Sequence, residues 1–208
     1  MSFFEKTFSS KDIPDAEIKS YQKSENVFLP YLHDLAFLVA GIILVFSLLF
    51  RVVIVSGPSM NNTLIDGDWI FLIGNALYTQ PKQGDVIVAS KDSFDNGTPI
   101  IKRVIATEGQ EVDIDFVTGI VFVDGTALKE SYTLTPTNTN EGMEFPLVVE
   151  DGCIFVMGDN RNVSMDSRST EIGLIDCREV LGKAVFIVFP GNNGGKTTRN
   201  FNRIGVLP

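Results

Sequence analysis

Hydrophobic residues are unevenly spread along the 208-residue chain. From Leu35 to Phe50 it reads LAFLVAGIILVFSLLF, without a charge, bounded by Asp34 and Arg51. The run has no polar stripe, so as a helix it needs apolar surroundings on every side. Its length as a helix is about 24 Å, short of the roughly 30 Å hydrocarbon core of a bilayer. Tyr31 and His33 suit the interface and Arg51 can snorkel, which lengthens the usable span. A buried helix of a soluble domain and a cleaved signal peptide are the competing readings. About thirty residues precede the run, too many for an ordinary signal-peptide n-region. The expectation is a permanent signal anchor over 31–55 that runs into the first strand.

Beyond the span the pattern changes. Short β-branched or aromatic runs recur at Val52–Val55, Trp69–Ile73, Asp85–Ala89, Ile100–Ala106, Glu111–Asp115, Ile120–Val123, Cys153–Met157 and Lys183–Phe189. Gly, Asn, Asp and Pro clusters such as IDGD, DNGTP and GDNRN separate them. That is strand-and-turn punctuation, with no long 3.6-residue period and no fixed repeat. The fold class expected is mainly β: one transmembrane helix followed by an all-β exterior domain over 56–208. Residues 1–30, polar and mixed in charge, read as a cytoplasmic tail. The polar stretch Tyr132–Phe145 reads as an exposed connecting loop.

Charge orients the chain and removes whole classes of function. Lys6, Lys11, Lys19 and Lys23 precede the span, and after Arg51 no basic residue occurs until Lys82. The positive-inside rule puts the N-terminus in the cytoplasm and the β domain outside. The net charge of −9 falls mostly on residues after the span. Such a domain lacks the basic footprint of a nucleic-acid binder. Mean hydropathy of +0.17 excludes a largely disordered chain. Two cysteines, Cys153 and Cys177, cannot build a disulfide-dense scaffold or a cysteine-only zinc site, and an exterior disulfide between them stays open. No phosphate-binding P-loop or calcium-loop pattern occurs.

The sole histidine, His33, lies before the span, so Ser-His-Asp chemistry is closed to the exterior domain. A serine nucleophile would need a lysine as its base, and that lysine must be neutral at working pH. Desolvation is what lowers a lysine pKa from about 10.4. Lys102 lies inside the apolar run PIIKRVIA, sharing a strand face with Ile100 and Val104, while Arg103 shares the other with Ile101 and Ile105. The pair could equally be edge-strand charges that block mispairing. Ser59 follows the turn Gly57-Pro58, where a hydroxyl and backbone N–H donors can face one point. A solvated turn serine is the plainer alternative.

Several blocks in order give the chain a resemblance. They are GPSMNNTLIDGD (57–68), KQGDVIV (82–88), IIKRVIA (100–106), MGDNRNVSMDSR (157–168), GKAVF (182–186) and RIG (203–205). Following an anchor, this series resembles the type I signal peptidases, membrane-bound Ser/Lys proteases of peptidase family S26, in their compact Gram-positive form. The resemblance covers roughly residues 30–208. It implies Ser59 as nucleophile, Lys102 as general base and Ser164 as the serine that orients the lysine. The backbone at Gly57 and Ser59 would receive the oxyanion. Some members carry a hydroxyl donor two residues before the nucleophile, where this chain has Gly57. Met60 would pack beside the site, and Arg103, Asp159, Asp166 and Arg168 would brace it.

The resemblance further implies cleavage after small residues of A-x-A type. It implies no cofactor or metal. The partners implied are exported preproteins with signal peptides, the lipid bilayer and the secretion translocon. The location implied is the cell membrane, with the catalytic domain on its outer face. The chain departs from the pattern at Asn62, where a proline is common, and at Thr107–Gln110. The alternatives are a soluble self-cleaving repressor, which lacks a span, and a dedicated or non-catalytic paralogue of pilus or surface-protein assembly. A lysine base predicts activity favouring alkaline pH.

Overall fold

The computed structural model describes residues 28–192 and 199–208. The expected tail lies outside the described residues as far as position 27, as do the four lysines used to orient the chain. The chain divides into two units, the first ending at Ile43 and the second running from Leu44 to Pro208.

Helix α1 covers Phe28–Leu49, 22 residues or about 33 Å. It is longer than the uncharged run and starts within the stretch read as tail. Pro30 falls in the first turn, where a missing N–H leaves no intrahelical bond unmade. At the other end Phe50 is not helical. It opens strand β1 (Phe50–Ile54), pairs with Ile73 and stacks on Phe71, with ring centroids 5.3 Å apart. No residue of α1 is buried. Its length and apolarity suffice to cross a membrane.

The rest is mainly β, as expected. The further strands are β2 (Trp69–Gly74), β3 (Val86–Ala89), β4 (Ile100–Thr107), β5 (Glu111–Asp115), β6 (Ile120–Val123) and β7 (Thr126–Ala127). After them come β8 (Leu147–Val148), β9 (Cys153–Met157), β10 (Ile175–Asp176), β11 (Val180–Phe189) and β12 (Gly205–Val206). They form two antiparallel sheets. One, curled, has the order β1-β2-β11-β3-β4-β9-β10, with β12 added to β11. The other has the order β7-β6-β5-β8. Irregular registers interrupt β11 against both neighbours and β4 against β9, and such bulges add local twist.

Two sorts of strand sequence follow from burial. In β5 buried Val112 and Ile114 alternate with exposed acids, because one face is wet, and in β6 burial alternates likewise although all four residues are apolar. In β3 and β9 both faces are covered. Val86 and Val88 enter one core cluster, and Ile87 and Ala89 another. Ile154 and Val156 likewise part from Phe155 and Met157. β4 lies between these two strands, so Lys102 and Arg103 are not edge-strand charges. Lys102 sits opposite Ile87, and Arg103 opposite Val86 and Met157. The pair is almost wholly buried, at 4% and 1% exposure.

The loop between β1 and β2 is closed at its neck. Val55 N–H donates to the Asp68 carbonyl at 2.8 Å, and Gly67 N–H to the Val55 carbonyl at 2.9 Å. The fully buried Asp68 carboxylate accepts Ile65 N–H, Gly191 N–H and a two-pronged contact from Arg203, at 2.7 and 2.8 Å. Arg203 Nη2 also reaches the Thr63 carbonyl at 2.9 Å. This loop hangs from a carboxylate whose cationic partner comes from the far end of the chain.

Arg203→Ala is therefore expected to leave Asp68 buried without its cation and to lower unfolding stability by about 3 kcal/mol. Denaturant unfolding of the two proteins in the same detergent measures it, and a loss below the measurement error would contradict this account.

Candidate active site

The β1–β2 loop carries Ser59. Gly57 adopts a φ of 87°, which a side chain would strain, and its N–H donates to Asp66 Oδ1 at 2.9 Å. That N–H is consequently occupied. Of the two backbone positions expected to face an oxyanion, Ser59 alone has an N–H with no hydrogen-bond partner among the described residues. Asn61 N–H donates to the Pro58 carbonyl, and Leu64 N–H to the Met60 carbonyl, so the loop continues as tight turns. Met60 is buried with Val55, Leu64, Ile70 and Leu72, which holds the adjoining serine against the core.

Lys102 approaches from β4. Its Nζ lies 3.1 Å from Ser59 Oγ, donating as the ammonium. As a neutral amine the same contact runs in reverse, with the hydroxyl donating. Burial pushes the Lys102 ammonium below its ordinary pKa. The nearby Asp166 and Glu141 carboxylates oppose that shift and the Arg168 guanidinium assists it. Among the described residues no carboxylate pairs directly with Lys102.

The segment after β9 closes on both residues. Asn160 N–H donates to the Ser59 carbonyl at 3.0 Å, and its side-chain amide donates to the Pro58 carbonyl at 3.1 Å. Gly158 fits only without a side chain, because a Cβ there would strike Ser164 and lie 2.5 Å from the Ser59 carbonyl oxygen. Ser164 is thus beside the site. Its Oγ donates to the Met165 carbonyl at 3.4 Å, and the expected contact to Lys102 is not made in this arrangement.

Buried ion pairs hold these segments together. Arg103 forks onto Asp159 at 2.8 and 2.9 Å, lies 4.0 Å from the Tyr132 ring and donates to the Gly84 and Pro208 carbonyls. Asp159 also accepts the Thr63 hydroxyl, which ties it to the serine loop. Arg168 forks onto Asp166 at 2.8 Å and donates to the Arg161, Ser164 and Thr139 carbonyls. Asp166 in turn accepts Gly158 N–H at 2.9 Å. All four of these charged residues are 0–1% exposed.

Other residues of the site carry weaker sequence signals. Asn160 and Arg161 stood inside the MGDNRNVSMDSR block, and Asp68 and Arg203 at the ends of two others, but nothing local marked what they do. Arg161 is buried against Glu130 and Thr137. Glu130, Thr137 and Glu141 come from a stretch with no periodicity. Thus Tyr132–Phe145 is not a simple connection, although apart from one bridge from Gly142 to Ser169 it forms no ladder. Cys153 and Cys177 are both free thiols, and among the described residues no group of His, Cys, Asp and Glu could hold a metal ion.

A groove of about 250 Å³ runs past the serine and lysine. Its walls include Val53, Val55, Met60, Val88, Pro99 and Ile101. Apolar walls beside a hydroxyl and a buried amine can take an extended chain with apolar side chains. One methylene changes such a fit by only about 1–3 kcal/mol.

Comparison with known proteins gives a consistent result. The family model for signal peptidase, peptidase S26, matches residues 29–189. A probable signal peptidase I-1 of Synechocystis sp. is 37% identical over 166 residues, 74% of this chain and 81% of that protein. Signal peptidase I of Bacillus licheniformis is 32% identical over 189 residues, 87% of this chain and 98% of that one. A crystal structure of signal peptidase I from Enterococcus faecalis V583 aligns with a TM-score of 0.41 and 29% identity, covering 50% of this chain and 96% of that one.

Burying Lys102 has a stability signature. Its folded pKa lies below the unfolded value of about 10.4, so between the two the unfolded chain binds the extra proton. Wild-type stability therefore rises with pH through that window. Lys102→Met is expected to be more stable than wild type at neutral pH, with the gain shrinking as pH approaches 10. Thermal unfolding across pH measures it, and a gain that grows with pH would contradict the desolvated amine.

Proposed function

The chain belongs to the signal peptidase family, peptidase S26, and from that premise we propose that Ser59 and Lys102 are the nucleophile and general base with which it works. It is a serine endopeptidase of the signal peptidase I type, and its substrates are proteins bearing signal peptides. The relatives matched carry that name over most of the chain, so the paralogue of pilus or surface-protein assembly is not favoured.

The observation that supports the assignment is the 3.1 Å contact between Lys102 Nζ and Ser59 Oγ inside a buried, braced setting. In the proposed reaction the neutral amine takes the hydroxyl proton as Oγ bonds to the scissile carbonyl carbon. Charge moves onto the carbonyl oxygen, where the unpaired Ser59 N–H receives it. The Lys102 ammonium then protonates the departing amine, leaving an acyl-serine. The neutral amine next takes a proton from a water whose oxygen bonds to the acyl carbon, and the ammonium returns that proton to Ser59 Oγ as the C–Oγ bond breaks, which releases the new carboxyl end.

Bracing follows the same reading. Asn160 fixes the Pro58 and Ser59 carbonyls, one on each side of the Ser59 α-carbon, which aims the nucleophile. Arg103 with Asp159 and Arg168 with Asp166 keep the two flanking segments in register. Ser164 is carried as a positioning residue: its hydroxyl lies in the segment closing over Ser59 and would turn to the amine.

We propose further that α1 anchors the protein in the cytoplasmic membrane with the β domain on the outer face, as the lysines before the span favour. The bilayer and the secretion translocon are then its neighbours, and exported preproteins reach Ser59 from the same membrane.

The test is cleavage of a preprotein in detergent micelles. Wild type is expected to cut at an A-x-A-like site. Ser59→Ala and Lys102→Ala, each shown to be folded by circular dichroism, are expected to lose at least about 10³-fold in kcat/KM. Wild-type kcat/KM is expected to fall toward acid pH as Lys102 takes a proton. Retained cleavage in either folded variant, or a profile flat down to pH 5, would overturn the assignment.

A further inference from the structure

The segment Tyr132–Phe145 docks on the residues that surround Lys102. Glu141 Oε1 lies 3.1 Å from Arg168 Nη2, and its Oε2 accepts Asp166 N–H at 3.3 Å. The next two residues fasten it there. Gly142 bridges to Ser169, and Met143 N–H donates to the Arg168 carbonyl at 3.0 Å. The Glu141 side chain is 16% exposed, so its carboxylate is largely withdrawn from water.

Arg168 is already forked onto Asp166, so Glu141 is a second carboxylate on one guanidinium. The cluster adjoins the amine: Asp166 accepts Gly158 N–H, Gly158 abuts the Ser59 carbonyl, and Ser59 Oγ holds Lys102 Nζ; the charges acting on Lys102 are those of Asp166, Glu141 and Arg168. The four groups balance only while Lys102 keeps its proton. When the amine is neutral, two carboxylates share one cation and a negative charge is left over. The loop that also seats Arg103, Arg161 and Arg168 thus supplies a charge that opposes the neutral form of the amine.

We infer that Glu141 is a positioning residue for Lys102, setting through its charge the field in which the amine gains and loses a proton. The inference rests on Lys102 as general base. Burial pushes Glu141 up, as does Asp166, while Arg168 and Lys102 pull it down. The carboxyl therefore senses both cations. Removing its charge leaves Arg168, Asp166 and a neutral amine in balance, which favours the free amine at lower pH.

The experiment is the pH dependence of kcat/KM for the full chain in micelles with one preprotein. Glu141→Gln keeps the shape and acceptor but not the charge. Its acid limb is expected to move to lower pH by about half a unit or more, roughly threefold in relative rate on that limb. Glu144→Gln makes the same charge change at an exposed position of the same loop and is expected to leave the limb in place. Glu141→Asp keeps the charge one methylene further back and is expected to fall between wild type and Glu141→Gln, which preserves the test should the amide variant not fold. NMR titration of Lys102 in Ser59→Ala, with and without Glu141→Gln, reads the same shift without catalysis. A limb that Glu141→Gln leaves in place, an equal shift from Glu144→Gln, or a uniform loss at every pH would overturn the inference. A wild-type profile with no acid limb would instead defeat the reading of Lys102 as base.

Discussion

Taking the Lys102 ammonium out of water is the constraint around which this molecule is arranged. A strand buried on both faces, between two neighbours also buried on both faces, is an unfavourable place for a charge. The adjacent Arg103 meets the same problem by pairing with Asp159. Lys102 has no such partner among the described residues and bonds to a serine hydroxyl instead. Two cations one residue apart thus take opposite solutions, and only one of them is left free to lose its proton.

The surrounding ion pairs read as consequences of that choice. A buried pair contributes little net stability, but it fixes geometry, because breaking it strands a charge. Each guanidinium here joins segments distant in sequence. Arg103 links β4 to the segment after β9 and, through Asp159 and Thr63, to the serine loop. Arg168 knits that segment to Thr139 and Glu141. Together they hold Ser59, Lys102 and Ser164 in one neighbourhood without any of the three lying on the same element.

How much of this was legible in the sequence depended on range. Strands β3, β4 and β9 were legible because burial on both faces turns them into apolar runs. Strands β7, β8, β10 and β12 have two residues each and leave no period to read. The helix start was hidden by Pro30, which resembles a boundary yet fits a first turn. Ser59 and Lys102 were ambiguous as single residues and became distinct only through the order of the blocks around them. The fate of Gly57 N–H could not be read, since it depends on where Asp66 swings back nine positions later. Glu141 had no local mark, because a lone acid in a Thr- and Asn-rich stretch looks like solvated loop until Arg168 is in place.

The pairing of Asp68 with Arg203 spans 135 positions. A contact of that range cannot form until Arg203 itself has been synthesised, and closing it costs the freedom of the intervening segment. The frame of the serine loop is therefore complete only once Gly191 and Arg203 have come alongside Asp68. A chain cut short of residue 203 holds Ser59 and Lys102 but not the full frame around the loop. The serine loop, early in the sequence, thus depends for its frame on residues that leave the ribosome long after it.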